Sequence, residues 1–154
     1  MKTAFFVSAA LAALTAPAAG CEIKLGMVME LTGPAGVYGQ AGAKAADMAF
    51  RDLNQAGGVL GCDIVTDTRD SQSQGNVAVD QATQLVNIGK VPVVIGGIIS
   101  SVSIPILTSV TAPAKVVQVS PASSSPTLTQ LGEEGKTGGY FFRTITSDAL
   151  QGTA

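Results

Sequence analysis

The sequence predicts an α/β fold, an open parallel sheet with helices on both faces. Three observations lead there. Short β-branched runs alternate with longer stretches whose apolar residues recur at helical spacing. That βαβαβαβ succession implies parallel strands joined by right-handed crossovers. Small and polar residues follow the runs, as in Gly96-Gly97 and Ser120-Pro121, and 18 glycines suit many tight strand–helix turns.

The chain opens on an address rather than on structure. Met1-Lys2-Thr3 supplies a positive start, Ala4 to Leu14 is an uncharged, mostly apolar run, and Thr15 to Gly20 is a small-residue tail. Residues 1–20 therefore read as a secretory signal, and its apolar run is too short to span a bilayer. Ile23 to Met29 reads as the first strand, and Gly39 to Gln55 as a helix with Ala46, Ala49, Phe50 and Leu53 on one face. Gly57-Gly58 stops that helix. Ile64-Val65-Thr66 begins a second strand ending near Asp67, and Asn76 to Ile88 is a helix turning Ala78, Ala82, Leu85 and Val86 inward. Val93 to Ile95 is the third strand, Ser101 to Thr111 the third helix, Val116 to Val119 the fourth strand and Tyr140 to Arg143 a short fifth. Thr146 to Gly152 looks like a capped helix beginning, so the chain reads as cut at Ala154, with more protein beyond.

Composition narrows the chemistry. The chain is 46% hydrophobic and 13% charged with a net charge of −2, and it carries no basic stripe and only 5% aromatics, so nucleic acid is not its partner. It has no histidine, the commonest general base and metal ligand, and no cluster suited to a metal or other cofactor. The expectation is a protein that binds rather than an enzyme.

Two fates are open to Cys21. Ala18-Ala19-Gly20-Cys21 resembles the lipobox of bacterial lipoproteins, which would make Cys21 a lipid anchor. The alternative joins Cys21 to Cys62. Each stands just before a predicted strand, and neighbouring parallel strands start about 5 Å apart, within disulfide reach. Only the disulfide uses both cysteines in an oxidising compartment.

Ligands of open parallel sheets bind beyond the carboxyl ends of the strands. Gly96-Gly97-Ile98-Ile99-Ser100-Ser101 and Ser120-Pro121-Ala122-Ser123-Ser124 bring small side chains, hydroxyls and backbone N–H groups to that edge. Such a surface suits a small polar or zwitterionic molecule. Ser100 and Ser101 also stand where a helix N-cap would, and Asp67 and Asp70 read as structural.

Several ordered motifs carry a resemblance: Ile23-Lys24-Leu25-Gly26, Leu31-Thr32-Gly33-Pro34-Ala35-Gly36-Val37-Tyr38-Gly39, Asn54-Gln55-Ala56-Gly57-Gly58-Val59-Leu60-Gly61, Val94-Ile95-Gly96, Ser100-Ser101, Ser120-Pro121-Ala122 and Phe142-Arg143-Thr144. Together they resemble the type I periplasmic binding proteins, in particular the leucine/isoleucine/valine-binding components of ABC transporters. The resemblance covers residues 22–154 and implies the N-terminal of two lobes, with flavodoxin-like strand order and the second lobe lying outside this chain. It implies a periplasmic protein that closes two lobes on an amino acid or similar small carboxylate and presents it to a membrane permease. Ser100 resembles the serine whose hydroxyl and nearby N–H groups receive the ligand carboxylate. Ala122 resembles the residue whose carbonyl accepts from the ligand ammonium, Ser124 stands where a threonine is common, and Tyr38 resembles an aromatic lining the cleft. Val102 replaces a small polar residue, which suggests an altered pocket wall.

Two other classes compete. The same fold serves as the ectodomain of ligand-sensing receptors. A nucleotide-dependent enzyme would use Gly33-x-x-Gly36-x-x-Gly39 with Asp67 on a ribose, but Pro34 and Ala35 break the dinucleotide pattern.

Overall fold

The computed structural model describes residues 20–153, and apart from Gly20 the expected export signal lies outside them. Five strands, β1 (Glu22–Met29), β2 (Asp63–Asp70), β3 (Val93–Gly96), β4 (Val117–Ser120) and β5 (Phe141–Arg143), form one sheet in the order β2-β1-β3-β4-β5. All four pairings are parallel. The helices are α1 (Gly36–Gln55), α2 (Gly75–Asn87), α3 (Ser100–Ile106), α4 (Ala112–Ala114) and α5 (Pro126–Glu133). A π-helical stretch, Leu107–Thr111, joins α3 to α4, and a 3₁₀ turn occupies Asp148–Thr153.

Strand alternation divides the core in two. Val28 and Val94 face α2 and α3, where they pack with Ala78, Ala82, Leu85, Val86, Val102, Ile106 and Val110. All four residues expected on the inner face of α2 are buried. On the opposite face Met27, Met29 and Ile98 pack under Ala43, Ala46 and Phe50 of α1.

Here the expected stripe is corrected. Ala46 and Phe50 point inward, but Ala49 is exposed and Leu53 is 43% exposed, and Ala43 takes their place. The helix begins at Gly36 rather than Gly39, since the Tyr38 and Gly39 N–H groups already donate to the Ala35 carbonyl at 3.1 Å. Its closest approach to the sheet is at Gly39. A Cβ there would overlap the Glu30 carbonyl, so glycine lets α1 lie directly on the end of β1. α1 lies over β1 and β2, and at the far edge Phe142 of β5 remains 55% exposed.

Other boundaries moved as well. β2 runs on to Asp70, paired throughout with β1. The third helix is broken into α3, a wider π turn and α4, with Pro105 inside α3, where proline removes a backbone donor. α5 was not expected. Its signal is Ser125-Pro126: the Ser125 hydroxyl accepts the Thr127 N–H at 3.2 Å, and Pro126 occupies the first turn, where a missing N–H costs nothing. The final segment is a 3₁₀ turn rather than an α-helix.

At the amino edge of the sheet the Cα atoms of Cys21 and Cys62 are 4.6 Å apart and their sulfurs form a disulfide. The Asp63 N–H donates to the Cys21 carbonyl at 2.9 Å, so the bridge extends the β1–β2 ladder by one step. The prediction is that non-reduced protein has the mass of a linked pair. Replacing both cysteines with serine should lower unfolding stability by about 4 kcal/mol in the chain-entropy account, read by urea unfolding. An acyl adduct on Cys21 would contradict the pairing.

Candidate functional site

The carboxyl ends of β3 and β4 lie side by side, since Ile95 pairs with Val119. The loop after β3, residues 97–99, is therefore brought against the loop after β4, residues 121–125. Their junction is a buried polar cluster. The Gly97 carbonyl accepts from the hydroxyls of Ser120 at 2.6 Å and Ser103 at 2.9 Å, and the Ser123 hydroxyl lies 2.7 Å from the Ser103 oxygen, to which it donates. All three serines are fully buried. One strand position below, the Gln118 amide donates to the Gly96 and Ser103 carbonyls at 3.0 and 3.1 Å and accepts the Thr111 hydroxyl at 2.7 Å. Buried polar groups are tolerated when they are paired in this way. Burial also strengthens the pairing, because the local dielectric is low.

Ser100 sits on this floor. It is the first residue of α3, with Ile99 as the N-cap, and no side chain caps the helix. Its hydroxyl turns across to the second loop and accepts the Ser125 N–H at 3.1 Å. A serine hydroxyl has one proton and two acceptor positions. The Ser100 oxygen accepts and its proton is not committed to any bond among the described residues. Nor does any of those bonds end on the Ala122 carbonyl. A donor and an acceptor thus stand on adjacent loops.

The second loop is held from outside. Arg143 of β5 donates to the Ser123 and Ser125 carbonyls at 3.2 and 3.1 Å and to the Thr129 hydroxyl at 2.6 Å. The Thr144 hydroxyl donates to the Pro121 carbonyl at 3.0 Å. The Ser124 hydroxyl gives its proton to Asp148 at 2.8 Å, and the Asp148 N–H returns to the Ser124 carbonyl at 2.9 Å. Ser124 therefore offers its surroundings an acceptor.

The other expected residues fall differently. Ser101 is exposed beside Ser100. Tyr38, in the first turn of α1, is 68% exposed, and no hydrogen bond of the described residues ties its side chain to the serine cluster. Val102 is fully buried among the α2 and α3 side chains, so it is a core residue and not a pocket wall. Two of the N–H groups expected to face a ligand, those of Ile98 and Ile99, instead donate to the Glu30 carboxyl group.

Asp67 and Asp70 have structural partners. Arg69 hydrogen-bonds Asp67 at 2.7 Å, and Lys24 lies 3.2 Å away. The Arg69 bond is the main cause that holds the Asp67 carboxyl below the usual range, with Lys24 adding to it against a partial burial cost. Both oxygens of Asp67 are engaged by these cations, as a ribose-binding acid's would not be. For Asp70, partial burial pushes upward. The Thr32 hydroxyl and the N–H groups of Gln72, Thr32 and Leu31 together outweigh it and leave the carboxyl below its ordinary value. Asp70 thereby ties the β1–α1 loop to the end of β2.

Comparison with known proteins agrees with this architecture. A family model described as periplasmic binding protein matches residues 22–154. A Leu/Ile/Val-binding protein of Rhizobium johnstonii is 33% identical over 117 residues, covering 76% of this chain and 31% of its own length. The leucine-, isoleucine-, valine-, threonine- and alanine-binding protein of Pseudomonas aeruginosa is 32% identical over 152 residues, 99% of this chain and 37% of its own. Among solved structures, the branched-chain amino acid transporter substrate-binding protein of Streptococcus pneumoniae in complex with isoleucine superposes with a TM-score of 0.75 at 30% identity. It covers 83% of this chain and 35% of its own. The chain spans roughly a third of the length of the relatives it matches.

The Asp70 tie has a pH signature. A carboxyl lowered in the folded state stabilises fully above its unfolded value, about 3.9, and that contribution fades as pH falls through the folded value. Asp70→Asn should therefore cost about 1 kcal/mol at pH 7, with the gap from the parent closing below about pH 4. Urea unfolding across pH 3–7 checks this, and a pH-independent gap would contradict it.

Proposed function

The chain belongs to the periplasmic binding protein family, and on that premise we propose that it is the N-terminal lobe of an extracytoplasmic solute-binding component of an ABC transporter. The ligand is a small amino acid with a branched or otherwise apolar side chain. The observation that carries this reading is the Ser125 N–H bond to the Ser100 oxygen, which leaves the Ser100 proton as a donor next to the open Ala122 carbonyl. A zwitterionic head group needs that combination. Its carboxylate takes the Ser100 hydroxyl, and its ammonium gives hydrogen bonds to the Ala122 carbonyl and to the Ser124 oxygen, whose own proton faces Asp148.

The side chain then projects away from the floor, toward a second lobe that closes over it, with Ser101 and Tyr38 on the rim. Hinge closure of this kind is the general motion of periplasmic binding proteins. The closed form is what a membrane permease engages. No bond of the ligand is broken in this scheme: the residues at the floor are serines paired to one another and to carbonyls, and they hold the ligand through hydrogen bonds alone. Export places the protein in the periplasm. There Cys21, joined to Cys62, has no thiol left to carry a lipid. The isoleucine bound by the pneumococcal relative, and the leucine, isoleucine and valine in the names of the others, support the choice of ligand.

Leucine titrated calorimetrically into the complete gene product should bind, and Ser100→Ala should weaken binding by about 1–3 kcal/mol, the worth of a hydrogen bond to a charged group. Unchanged affinity in the variant would remove Ser100 from the site. Absence of binding to every apolar amino acid would overturn the ligand class.

A further inference from the structure

We propose that Glu30 is the positioning residue of this site. From the end of β1 it holds the N–H groups of Ile98 and Ile99, and so sets the direction in which Ser100 presents its hydroxyl. The proposal rests on the amino-acid-binding reading above and deepens it. Glu30 is fully buried. One carboxyl oxygen accepts the Ile98 and Ile99 N–H groups, both at 3.1 Å, and the other accepts Ile98 at 2.9 Å. These residues are 68 and 69 positions away in sequence, so the contact is made by the fold and not by a local turn.

The surroundings are built around the carboxyl group. A Cβ on Gly97 would stand 2.5 Å from Val102 and 2.7 Å from a Glu30 oxygen, so the loop keeps glycine where both side chains lie against it. The Glu30 backbone is itself the surface against which Gly39 brings α1. The place is also distinctive. Strand order reverses between β1 and β3, and the crevice at such a switch point is where open parallel sheets receive their ligands. Here the protein's own acid fills it. The Ile98 and Ile99 donors are satisfied internally, and the Ser100 hydroxyl and the Ala122 carbonyl lie one strand along, between β3 and β4.

Stability alone does not ask for an acid. Stability does require some acceptor, because an apolar side chain would leave the buried Ile98 N–H unpaired. Burying a full carboxyl group, however, costs desolvation that its hydrogen bonds only roughly offset. What the acceptor also adds is orientation. Ser103 from α3 and Ser120 and Gln118 from β4 hold the carbonyls of Gly96 and Gly97, while Glu30 holds the N–H groups of Ile98 and Ile99 from the β1 side. Gripped from both sides, the peptide planes leading into Ser100 have one arrangement.

The test uses two near-isosteric variants of the complete gene product. Glu30→Met removes the acceptor, and Glu30→Gln keeps one carbonyl oxygen able to take both N–H groups. Leucine affinity, measured well below the melting temperature of each, should fall at least tenfold in Glu30→Met and stay within threefold of the parent in Glu30→Gln. Val86→Ala, a truncation in the α2 core, should lower the melting temperature without changing affinity. Parental affinity in Glu30→Met, or an equal loss in both variants, overturns the proposal. Amide exchange supplies an arm that needs no variant to fold. The Ile98 and Ile99 amides should exchange slowly without ligand and be unchanged by leucine. Fast exchange that leucine suppresses would mean those donors serve the ligand, and Glu30 would lose its role. If the parent binds no amino acid, the ligand reading fails, and exchange in the free protein still decides whether Glu30 holds the loop.

Discussion

The Gly97 carbonyl, which accepts the hydroxyls of Ser103 from α3 and Ser120 from β4 while Ser123 of the next loop bonds Ser103 beside it, is the point from which the carboxyl edge of this sheet is organised. Removing one of those donors would leave its partners short of a hydrogen bond inside a dry core, at a cost of about 1–3 kcal/mol. The cluster therefore joins β3 and β4 through their loops as firmly as their short ladder joins them through the strands. It also explains the serine-rich composition of residues 120–125. Ser120 and Ser123 belong to the floor, Ser124 faces Asp148, and Ser125 divides itself between capping α5 and holding Ser100.

The two edges of the sheet are secured by different chemistry. At the amino edge a disulfide and one backbone hydrogen bond start the β1–β2 pair. At the carboxyl edge no covalent link exists among the described residues, and side chains tie the loops instead. Asp70 binds the β1–α1 loop to β2, and Arg143 binds the β4–α5 loop to β5. Polar ties at the edge proposed to meet the ligand are adjustable in a way that a covalent bridge is not. They fix backbone direction while leaving side-chain hydroxyls available.

Much of this was legible in the sequence, for identifiable reasons. The strands and α2 were readable because period-2 and period-3.6 patterns are set by which side chains leave water, and α2 lies flat on the sheet along its length. The inner stripe of α1 differs from the expected one because Gly39, in the helix's first turn, is pressed against Glu30, and the buried face runs through Ala43, Ala46 and Phe50. α5 was missed because its sequence is mostly polar and its one strong mark is the Ser125-Pro126 pair. The candidate site was half legible. Ser100, Ala122 and Ser124 lie on the expected adjacent loops, but nothing in local pattern says which N–H groups are already spoken for. Glu30 and Gln118 each had a signal, a polar residue within or directly after an apolar run, and what each one holds depends on residues from other elements, 7 to 69 positions away. Such pairings belong to topology. Val102 shows the converse, since a position that resembled pocket wall turned out to be core once the path of α3 was known.

The most direct test of the account is a crystal structure of the complete gene product with leucine. The account predicts the ligand carboxylate within hydrogen-bond distance of the Ser100 hydroxyl, the ammonium at the Ala122 carbonyl, and the Ile98 and Ile99 N–H groups still on Glu30. A ligand carboxylate bound to those two N–H groups with Glu30 displaced, or a ligand held away from Ser100, would contradict it.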